Sequence, residues 1–294
     1  MTRRQFSLAA AALPLAAQAQ IQARPKPPLC IFSKHMAHFQ WDQLGAKAKE
    51  LGFDGVDLTV RPKGHVLPGR AAEDLPRAVE AIRKHGLSVP MITTDLKDVS
   101  DPAAKPTFEA MRKLGIKLYK LGYWPYKREP NVLATIAECK RKFQALIALS
   151  SQYGLTAGLH NHSNANVGCA VWDYREILAG SQDQDAGYYF DPGHSVIEGG
   201  LFNWRVSLDI AQPRMKMSAI KDFYWEKQNG KWRTHWCPLG EGMVPWAGFF
   251  AAYAKAGFTG PLSLHLEYPG GEEIPAIQKD LAFMKQQVAA AYGA

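Results

Sequence analysis

The sequence predicts a single (β/α)8 TIM barrel of the α/β class, and three observations lead to this prediction. After Pro28, short apolar runs of strand type alternate eight times with longer runs of helical spacing, and no block of strands stands alone. Several helical runs end at a glycine that is followed at once by an apolar strand, as in Leu51-Gly52-Phe53 and Tyr153-Gly154-Leu155. A doubly wound open sheet, the alternative, would need a glycine-rich phosphate loop after an early strand, and the sequence has none.

The eight predicted units follow one another along the chain, each as a strand and then a helix. The first four are Leu29–Ser33 with Trp41–Leu51, Asp54–Val60 with Ala71–His85, Ser88–Thr93 with Pro106–Leu114, and Lys117–Gly122 with Asn131–Tyr153. The last four are Leu155–Asn161 with Val171–Leu178, Gly187–Asp191 with Asn203–Ile210, Met215–Lys221 with Pro245–Ala256, and Leu262–Glu267 with Glu273–Ala291. Eight units of this kind favour closure of a parallel sheet into a barrel.

The N-terminal residues are predicted to precede the barrel. Arg3-Arg4, an alanine-rich apolar stretch and the A-x-A site at residues 17–19 are typical of a twin-arginine export signal, so residues 1–19 are predicted to be removed on export to the periplasm. An N-terminal anchor helix is the alternative. Residues 20–28, which include three prolines, are predicted to be a linker to a barrel that spans residues 29–294.

The composition is that of an ordinary globular protein, with 47% hydrophobic residues in a chain of 294. The net charge of +8 is scattered rather than gathered on one helix face, so it argues against a nucleic-acid partner. No membrane association is predicted once the signal is removed. The four cysteines have no short spacing, which leaves the question of a disulfide open.

Charged and polar side chains gather at the C-terminal ends of the predicted strands, where a buried barrel strand should be apolar. They are Arg61, Lys120, His160, His162, Asp191, His194, Lys221, Asp222, His265 and Glu267. Burying an unpaired charge costs several kcal/mol, so such a cluster is tolerable only if its members pair or bind something. Since this end of a barrel carries the active site, the pattern predicts one shared site there.

Two further patterns bear on that site. His160 and His162 are two residues apart in a predicted strand and would share one face, as metal ligands, acid/base groups or packed core. Aromatic residues on the predicted loops at the same end could stack on the C–H faces of a sugar or seal the loops over the barrel: Tyr123, Trp124, Tyr126, Phe223, Tyr224, Trp225 and Trp236.

Six phrases of the sequence resemble the xylose isomerase-like TIM barrel superfamily, which is described broadly as sugar phosphate isomerases and epimerases. The resemblance runs from about Leu29 to the C-terminus and rests on GFDGVDL at 52–58, YGLTAGLHNHSN at 153–164, YYFDPGHSVIEGG at 188–200, IKDF at 220–223, PLGEGMVPW at 238–246 and GPLSLHLEY at 260–268. Their order, each on the expected strand, is specific for the superfamily, whereas they are poor guides to the substrate.

The resemblance implies a metal site with altered ligands. Members of the superfamily hold one divalent metal through a glutamate, an aspartate, a histidine and a glutamate on strands five to eight, and these positions fall on His160, Asp191, Ala219 and His265. We therefore predict that His160, Asp191 and His265 bind one Mn, Co, Ni, Fe or Zn ion, since imidazole suits these metals better than Mg. The alternative is that the metal has been lost and the histidines act directly.

The resemblance also implies an enzyme that takes a proton from the carbon beside a sugar carbonyl and stabilises the enediolate, as isomerases and epimerases do. A site rich in hydrogen-bond donors and cations suits the oxyanion of such a reaction. We predict catalytic roles for Glu267, Lys221 and His162, and the alternative for Lys221 is a structural ion pair with Asp222 or Asp191. We predict contacts to a small carbohydrate substrate from Arg61, Lys120, Trp124, His194 and Glu241.

Three alternatives differ from this prediction in class. A lyase or dehydratase acting on a keto-sugar or keto-glycoside is one, because a His-x-His on strand five resembles the inosose dehydratase branch. A non-catalytic periplasmic sugar-binding protein on a decayed enzyme fold is another, favoured by the three altered ligands and opposed by the retained Asp191, Lys221 and Glu267. A nuclease on the same fold would need a richer His/Glu metal cluster.

Overall fold

The structure is a computed structural model that describes residues 25–129 and 131–293. The strands are β1 (Leu29–Phe32), β2 (Gly55–Val60), β3 (Ser88–Thr94), β4 (Leu118–Lys120), β5 (Thr156–His160), β6 (Ala186–Phe190), β7 (Met215–Ile220), β8 (Asp222–Gln228), β9 (Lys231–Cys237) and β10 (Leu262–Leu264). The helices are α1 (Trp41–Leu51), α2 (Ala71–Arg83), α3 (Ala104–Leu114), α4 (Val132–Ser150), α5 (Val171–Leu178), α6 (Pro192–Ala211), α7 (Trp246–Lys255) and α8 (Ile274–Tyr292). The predicted signal peptide lies outside the described residues.

Eight parallel strands close into a barrel, which confirms the predicted fold. The strand order around the barrel is β1-β10-β7-β6-β5-β4-β3-β2, and each neighbouring pair is parallel. The predicted glycine stops are also present: Gly52 ends α1 with a φ of 88°, and Gly115 ends α3 with a φ of 70°. This left-handed conformation costs glycine little, so each helix turns directly into the next strand.

The barrel core consists of two layers of apolar side chains. Inside the barrel, Met91, Tyr189, Met217 and Ala219 pack together with Leu118 against them. Outside it, the strands pack against the ring of helices through one large apolar cluster. Residues of alternate parity therefore point inward, which at the C-terminal ends of β4 and β7 brings Lys120 and Lys221 into the barrel mouth.

The segment between β7 and β10 differs from the prediction. Instead of loops, β8 and β9 form an antiparallel hairpin that turns at Asn229 and Gly230, both with positive φ (50° and 77°). An Asn-Gly pair suits this tight turn, because its twist matches that of the two strands. The predicted loop residues Phe223, Tyr224, Trp225 and Trp236 therefore lie on strands.

The carboxylate of Asp222 fixes the base of this hairpin. It is buried and accepts hydrogen bonds from the backbone N–H groups of Phe223, Gly240, Gly242 and Val244 and from Trp246 Nε1, over distances of 2.8–3.3 Å. A Cβ on Gly242 would lie 2.1 Å from the Asp222 carboxylate, so only glycine permits this approach. Asp222 thus joins the hairpin, the following loop and α7.

The predicted short helix at 203–210 is part of the longer α6, which begins directly after Asp191 and is kinked at Gly200. All four cysteines are free thiols. Among the described residues, none of the helices has the length and hydropathy needed to cross a membrane.

Candidate active site

A cavity of about 600 Å3 opens at the C-terminal ends of the barrel strands. Its walls combine charged groups, histidines and aromatic rings. The lining residues are Phe32, Lys34, Arg61, Thr93, Lys120, Tyr123, His160, His162, Ser163, Asn164, Tyr189, Lys221, Trp225, Trp232, Arg233, Thr234, Trp236, His265 and Glu267. Five of these residues are lysine or arginine and one is a carboxylate, so the cavity favours a ligand that carries or develops negative charge.

Asp191 lies at the centre of the ionic contacts beneath the cavity. Its Oδ2 is 3.0 Å from His160 Nε2 and 3.2 Å from Lys221 Nζ, while its Oδ1 accepts the backbone N–H of His194 at the start of α6. Asn161 fixes the Asp191 backbone through two hydrogen bonds. Burial raises the pKa of Asp191, and the charge of Lys221 and the His194 N–H oppose that shift.

His160 is held at both ring nitrogens. Nε2 meets Asp191, and Nδ1 is 2.7 Å from the hydroxyl of Tyr123. Burial, and after it the charge of Lys221, lowers the pKa of His160 well below its usual value, so the ring is neutral. These contacts assign the proton to Nε2, which donates to Asp191, and leave Nδ1 to accept from Tyr123.

The geometry does not fit the predicted metal set of His160, Asp191 and His265. The ammonium of Lys221 lies against the Asp191 oxygen that a metal would need, and both nitrogens of His160 already have partners. The third predicted ligand, His265, faces Tyr189 instead, and its Nε2 lies 3.1 Å from the hydroxyl oxygen of Tyr189. Within the described ranges no group of three His, Cys, Asp or Glu side chains could hold a metal ion. A lysine therefore supplies the positive charge at this position.

Lys120 enters the same cavity without a carboxylate partner. It is 2% exposed, its Nζ makes no hydrogen bond within the described part of the chain, and the atom lies 3.6 Å from the centroid of the Tyr123 ring. Burial lowers the pKa of Lys120 to about 7; the charges of Asp95 and Asp57 oppose this shift, and those of Arg61 and Lys221 add to it. An amine with this pKa exchanges protons readily at neutral pH.

Glu267, the predicted catalytic carboxylate, forms an ion pair at the rim of the cavity. Its Oε2 is 2.7 Å from Lys34 Nζ. Burial by itself would raise the pKa of Glu267, but the charges of Lys221 and Lys34 outweigh it and lower the pKa to about 2. Such a carboxylate stays ionised and is a weak proton acceptor.

His162 shares the cavity wall with His160, as its parity predicts. Its Nδ1 donates to the backbone carbonyl of Ser163 at 2.7 Å, which leaves Nε2 without a proton. Its ring packs 4.9 Å from that of Tyr123 and 3.8 Å from that of His194. Burial, and after it the charge of Lys221, lowers the pKa of His162 to about 4, so this imidazole is neutral.

A buried hydrogen-bond network on the floor of the cavity was not predicted from the sequence. Tyr189 donates its hydroxyl proton to Asp57 at 3.1 Å, and its oxygen lies 3.1 Å from His265 Nε2. Asp57 also accepts from Thr93 and Ser263, both at 2.8 Å. Burial raises the pKa of Asp57 to about 6, although these hydroxyl groups oppose the shift. An aspartate inside a buried strand was the available signal.

Three predicted substrate contacts lie outside the cavity lining. Trp124 is buried with the apolar core, and its neighbour Tyr123 takes the place in the wall. His194 is fully buried behind His162, where its Nδ1 contacts Ser163 at 2.6 Å. Glu241 points to the outside and pairs with Lys279. The structure thus assembles Arg61, Lys120, His160, His162, Lys221, His265 and Glu267, with Asp191 directly beneath them.

Comparison with known proteins gives one family and many similar folds. A family model described as Xylose isomerase-like TIM barrel matches residues 46–287. No curated protein matches the sequence. Solved structures with similar folds include the 3-keto-D-glucoside 4-epimerase from E. coli, with 14% identity and a TM-score of 0.68 over 89% of this chain and 100% of that one.

Two further solved structures have similar folds. The probable 3-DHS dehydratase AsbF from Bacillus anthracis has 15% identity and a TM-score of 0.68, over 88% of this chain and 98% of its own. A Xylose isomerase-like TIM barrel protein from Mycobacterium smegmatis, solved in complex with magnesium, has 14% identity and a TM-score of 0.66, over 93% and 99%. At these identities the likeness establishes the fold alone.

Proposed function

The chain belongs to the xylose isomerase-like TIM barrel family, and on this premise we propose that it is an enzyme that isomerises or epimerises a keto-sugar. The reaction would remove the proton on the carbon beside the carbonyl and return it to another carbon or another face. The observation that carries this proposal is the charge of the cavity, where four cationic side chains besides Lys120, together with neutral histidines, face a single carboxylate. Such walls stabilise an enediolate more than its neutral precursor.

Lys221 is proposed to hold the developing oxyanion. It lines the cavity while its ammonium is fixed against Asp191, which is in turn fixed by Asn161 and the start of α6. A donor already oriented in this way needs no reorganisation when the negative charge appears on the substrate oxygen. Because the geometry does not fit a divalent metal, no step of the proposed reaction passes through one.

Lys120 is proposed as the group that takes the proton from carbon. Among the cavity groups that could accept a proton, Glu267 and His162 have pKa values of about 2 and 4, whereas that of Lys120 is about 7. A base whose pKa matches the working pH is the most efficient. Its Nζ has no hydrogen-bond partner among the described residues, and burial, helped by the charges of Arg61 and Lys221 and opposed by those of Asp95 and Asp57, favours its uncharged form.

A dehydratase is the second candidate, and Tyr123 is the observation that favours it. After the same proton abstraction, loss of a hydroxyl from the next carbon needs a proton donor. Burial raises the pKa of Tyr123 well above its usual value, so its hydroxyl stays protonated while it lines the cavity beside Lys120 and His160. Product analysis separates the two candidates, because only elimination releases water and forms an unsaturated sugar.

Solvent exchange of the carbon-bound proton tests the proposal directly. A panel of keto-sugars is incubated with the protein in D2O, and deuterium incorporation beside the carbonyl is followed by NMR. We expect exchange with at least one member of the panel, and we expect Lys120→Met to abolish it. Saturable sugar binding without any exchange or product would instead support the non-catalytic sugar-binding protein.

The location of the enzyme is also part of the proposal. Arg3-Arg4 and the A-x-A site at 17–19 support export to the periplasm through the twin-arginine route. N-terminal sequencing of the mature protein is expected to begin near residue 20. A protein that keeps Met1 and stays in the cytoplasm would refute this part.

A further inference from the structure

The hairpin β8–β9 carries a row of aromatic residues along one face. In an antiparallel pair, directly opposite residues and every second residue share a face. Phe223 opposite Trp236 and Trp225 opposite Thr234 therefore lie on the same side, and Trp232 follows on that side towards the turn. The row becomes more exposed along its length, from fully buried Phe223 to Trp225 at 39% and Trp232 at 67%.

This face of the hairpin is a wall of the cavity. Trp225, Trp232, Thr234 and Trp236 all line it, and the inner end of the row reaches the ionic cluster, where Lys221 Nζ lies 5.0 Å from the centre of the Trp236 ring. The opposite face is occupied by its own contacts, with the rings of Tyr224 and His235 stacked at 4.7 Å. The exposed indoles thus border the substrate cavity, on a strand pair whose base is fixed by Asp222.

The row is longer than one sugar ring. Trp232 lies four residues beyond Trp236 along β9, which corresponds to about 13 Å at the usual rise per residue. A ring bound at Lys221 would lie beside Trp236, because Lys221 Nζ is 5.0 Å from the centre of that ring, and it would leave the outer indoles uncovered. A second ring joined to the first would extend along the wall towards Trp225 and Trp232.

We propose that the substrate is a glycoside or disaccharide, whose reacting ring lies on the cavity floor and whose second sugar ring stacks on Trp225 and Trp232. This inference rests on the proposed function and names its substrate class. The flat indole faces cover the C–H face of a sugar ring and remove apolar area from water. Thr234, on the same face, supplies a hydroxyl that can bond to the hydroxyl groups at the edge of that ring.

The first test compares two substrates that differ only in the second ring. A keto-disaccharide and the keto-monosaccharide oxidised at the same carbon are assayed with the full-length mature enzyme. Trp225→Ala and Trp232→Ala are each expected to raise KM for the keto-disaccharide about tenfold, the loss of roughly one aromatic stacking contact. The kcat values and the KM for the keto-monosaccharide are expected to stay unchanged.

Two aromatic residues serve as matched controls. Tyr224→Ala changes the other face of the same hairpin, and Trp172→Ala removes a tryptophan on α5 that is 56% exposed. Neither is expected to alter either KM. Equal KM values of the wild-type enzyme for the two substrates, or tryptophan variants that leave the keto-disaccharide unaffected, would overturn the inference while the proposed reaction stands.

Calorimetric binding makes the inference independent of turnover. Cellobiose, maltose, trehalose and glucose are titrated into the wild-type protein and the two tryptophan variants. Tighter binding of at least one disaccharide than of glucose, lost in both variants, would support the second-ring site even if no keto-sugar reacts and the proposed reaction fails. If no sugar of the panel binds and no keto-sugar reacts, both the inference and the proposed function are overturned.

Discussion

Two buried aspartates at the mouth of the barrel have partners of different kinds. Asp222 accepts five N–H groups, four from the backbone and one from an indole, and touches no charged side chain that lines the cavity. Asp191 accepts one backbone N–H, and its nearest side-chain contacts are Lys221 and His160, both of which line the cavity. One carboxylate holds the loops together, whereas the other holds groups that a substrate would meet.

Two adjacent residues differ in the same way: Lys221 belongs to the candidate site, and Asp222 belongs to the base of the hairpin. Lys221 and Asp222 follow each other at the end of β7, so their side chains point to opposite sides. Lys221 points inward and pairs with an aspartate from another strand end, not with its neighbour. Removing a carboxylate should therefore affect stability on the Asp222 side and activity on the Asp191 side.

The largest expected effect is on the Asp222 side. Asp222→Ala would leave five buried or half-buried donors without their acceptor, and unpaired buried donors cost about 1–3 kcal/mol each before relaxation and water entry. We expect the free energy of unfolding to fall by at least about 3 kcal/mol, as measured by urea denaturation. Asp222→Asn keeps one acceptor oxygen and should lose less. A loss below about 1 kcal/mol for the alanine variant would contradict the structural role.

The next effect concerns Lys221. Lys221→Met keeps the aliphatic stem and removes the charge, so kcat should fall about 10²–10³-fold if this ammonium holds the oxyanion. The single variant also leaves Asp191 without its cation, which lowers stability. The double variant Asp191→Asn with Lys221→Met removes both charges and should recover stability without recovering kcat. A kcat per folded molecule that is unchanged in the single variant would reduce Lys221 to a structural partner.

The pH dependence of the reaction sharpens the contrast between the paired Lys221 and the unpaired Lys120. Lys120 acts as a base only when it is deprotonated, and its pKa is lowered to about 7. We therefore expect kcat/KM to rise about tenfold per pH unit below pH 7 and to level off above it. Lys120→Met should remove both the activity and this profile. A wild-type profile that falls as the pH rises through about 7 would exclude Lys120 as the base.

The smallest expected effect is that of metal removal. Since Lys221 supplies the positive charge beside Asp191, dialysis against EDTA is expected to leave kcat unchanged. Elemental analysis of the purified protein should then find no stoichiometric Mn, Co, Ni, Fe or Zn. Activity that disappears with EDTA and returns with one of these ions would show that the side chains rearrange around a metal.

The barrel could be predicted from the sequence because its signals are local and repeated. Each glycine stop and each apolar run reports on its own segment, and eight repetitions leave few alternatives. The hairpin had a local signal as well, the Asn229-Gly230 pair between two aromatic runs, but the prediction assigned the segment to loops. Similarly, Asp57 was visible as a charge within an apolar strand.

The partners of the site residues could not be predicted in the same way. The sequence indicates that Lys221 and His160 face inward, but not that both meet one oxygen of Asp191, because that depends on the placement of three strands. The predicted metal set followed the ligand positions of the superfamily, whereas in the structure an inward lysine reaches the same carboxylate. Trp124 and Tyr123 show the same limit, since adjacent positions on a loop have no fixed parity.

The five hydrogen bonds to Asp222 have a consequence for how this protein can evolve. Asp222 and Cys237 are paired neighbours at the open end of the hairpin, so the segment between them leaves and re-enters the barrel at almost one point. Of the fourteen residues between them, Phe223 is buried in the core. The others are expected to tolerate changes in length and sequence without movement of β7 or β10. Relatives that keep the contacts of Asp222 could change their substrate preference by changing this hairpin alone. The residues on the floor of the barrel would stay the same.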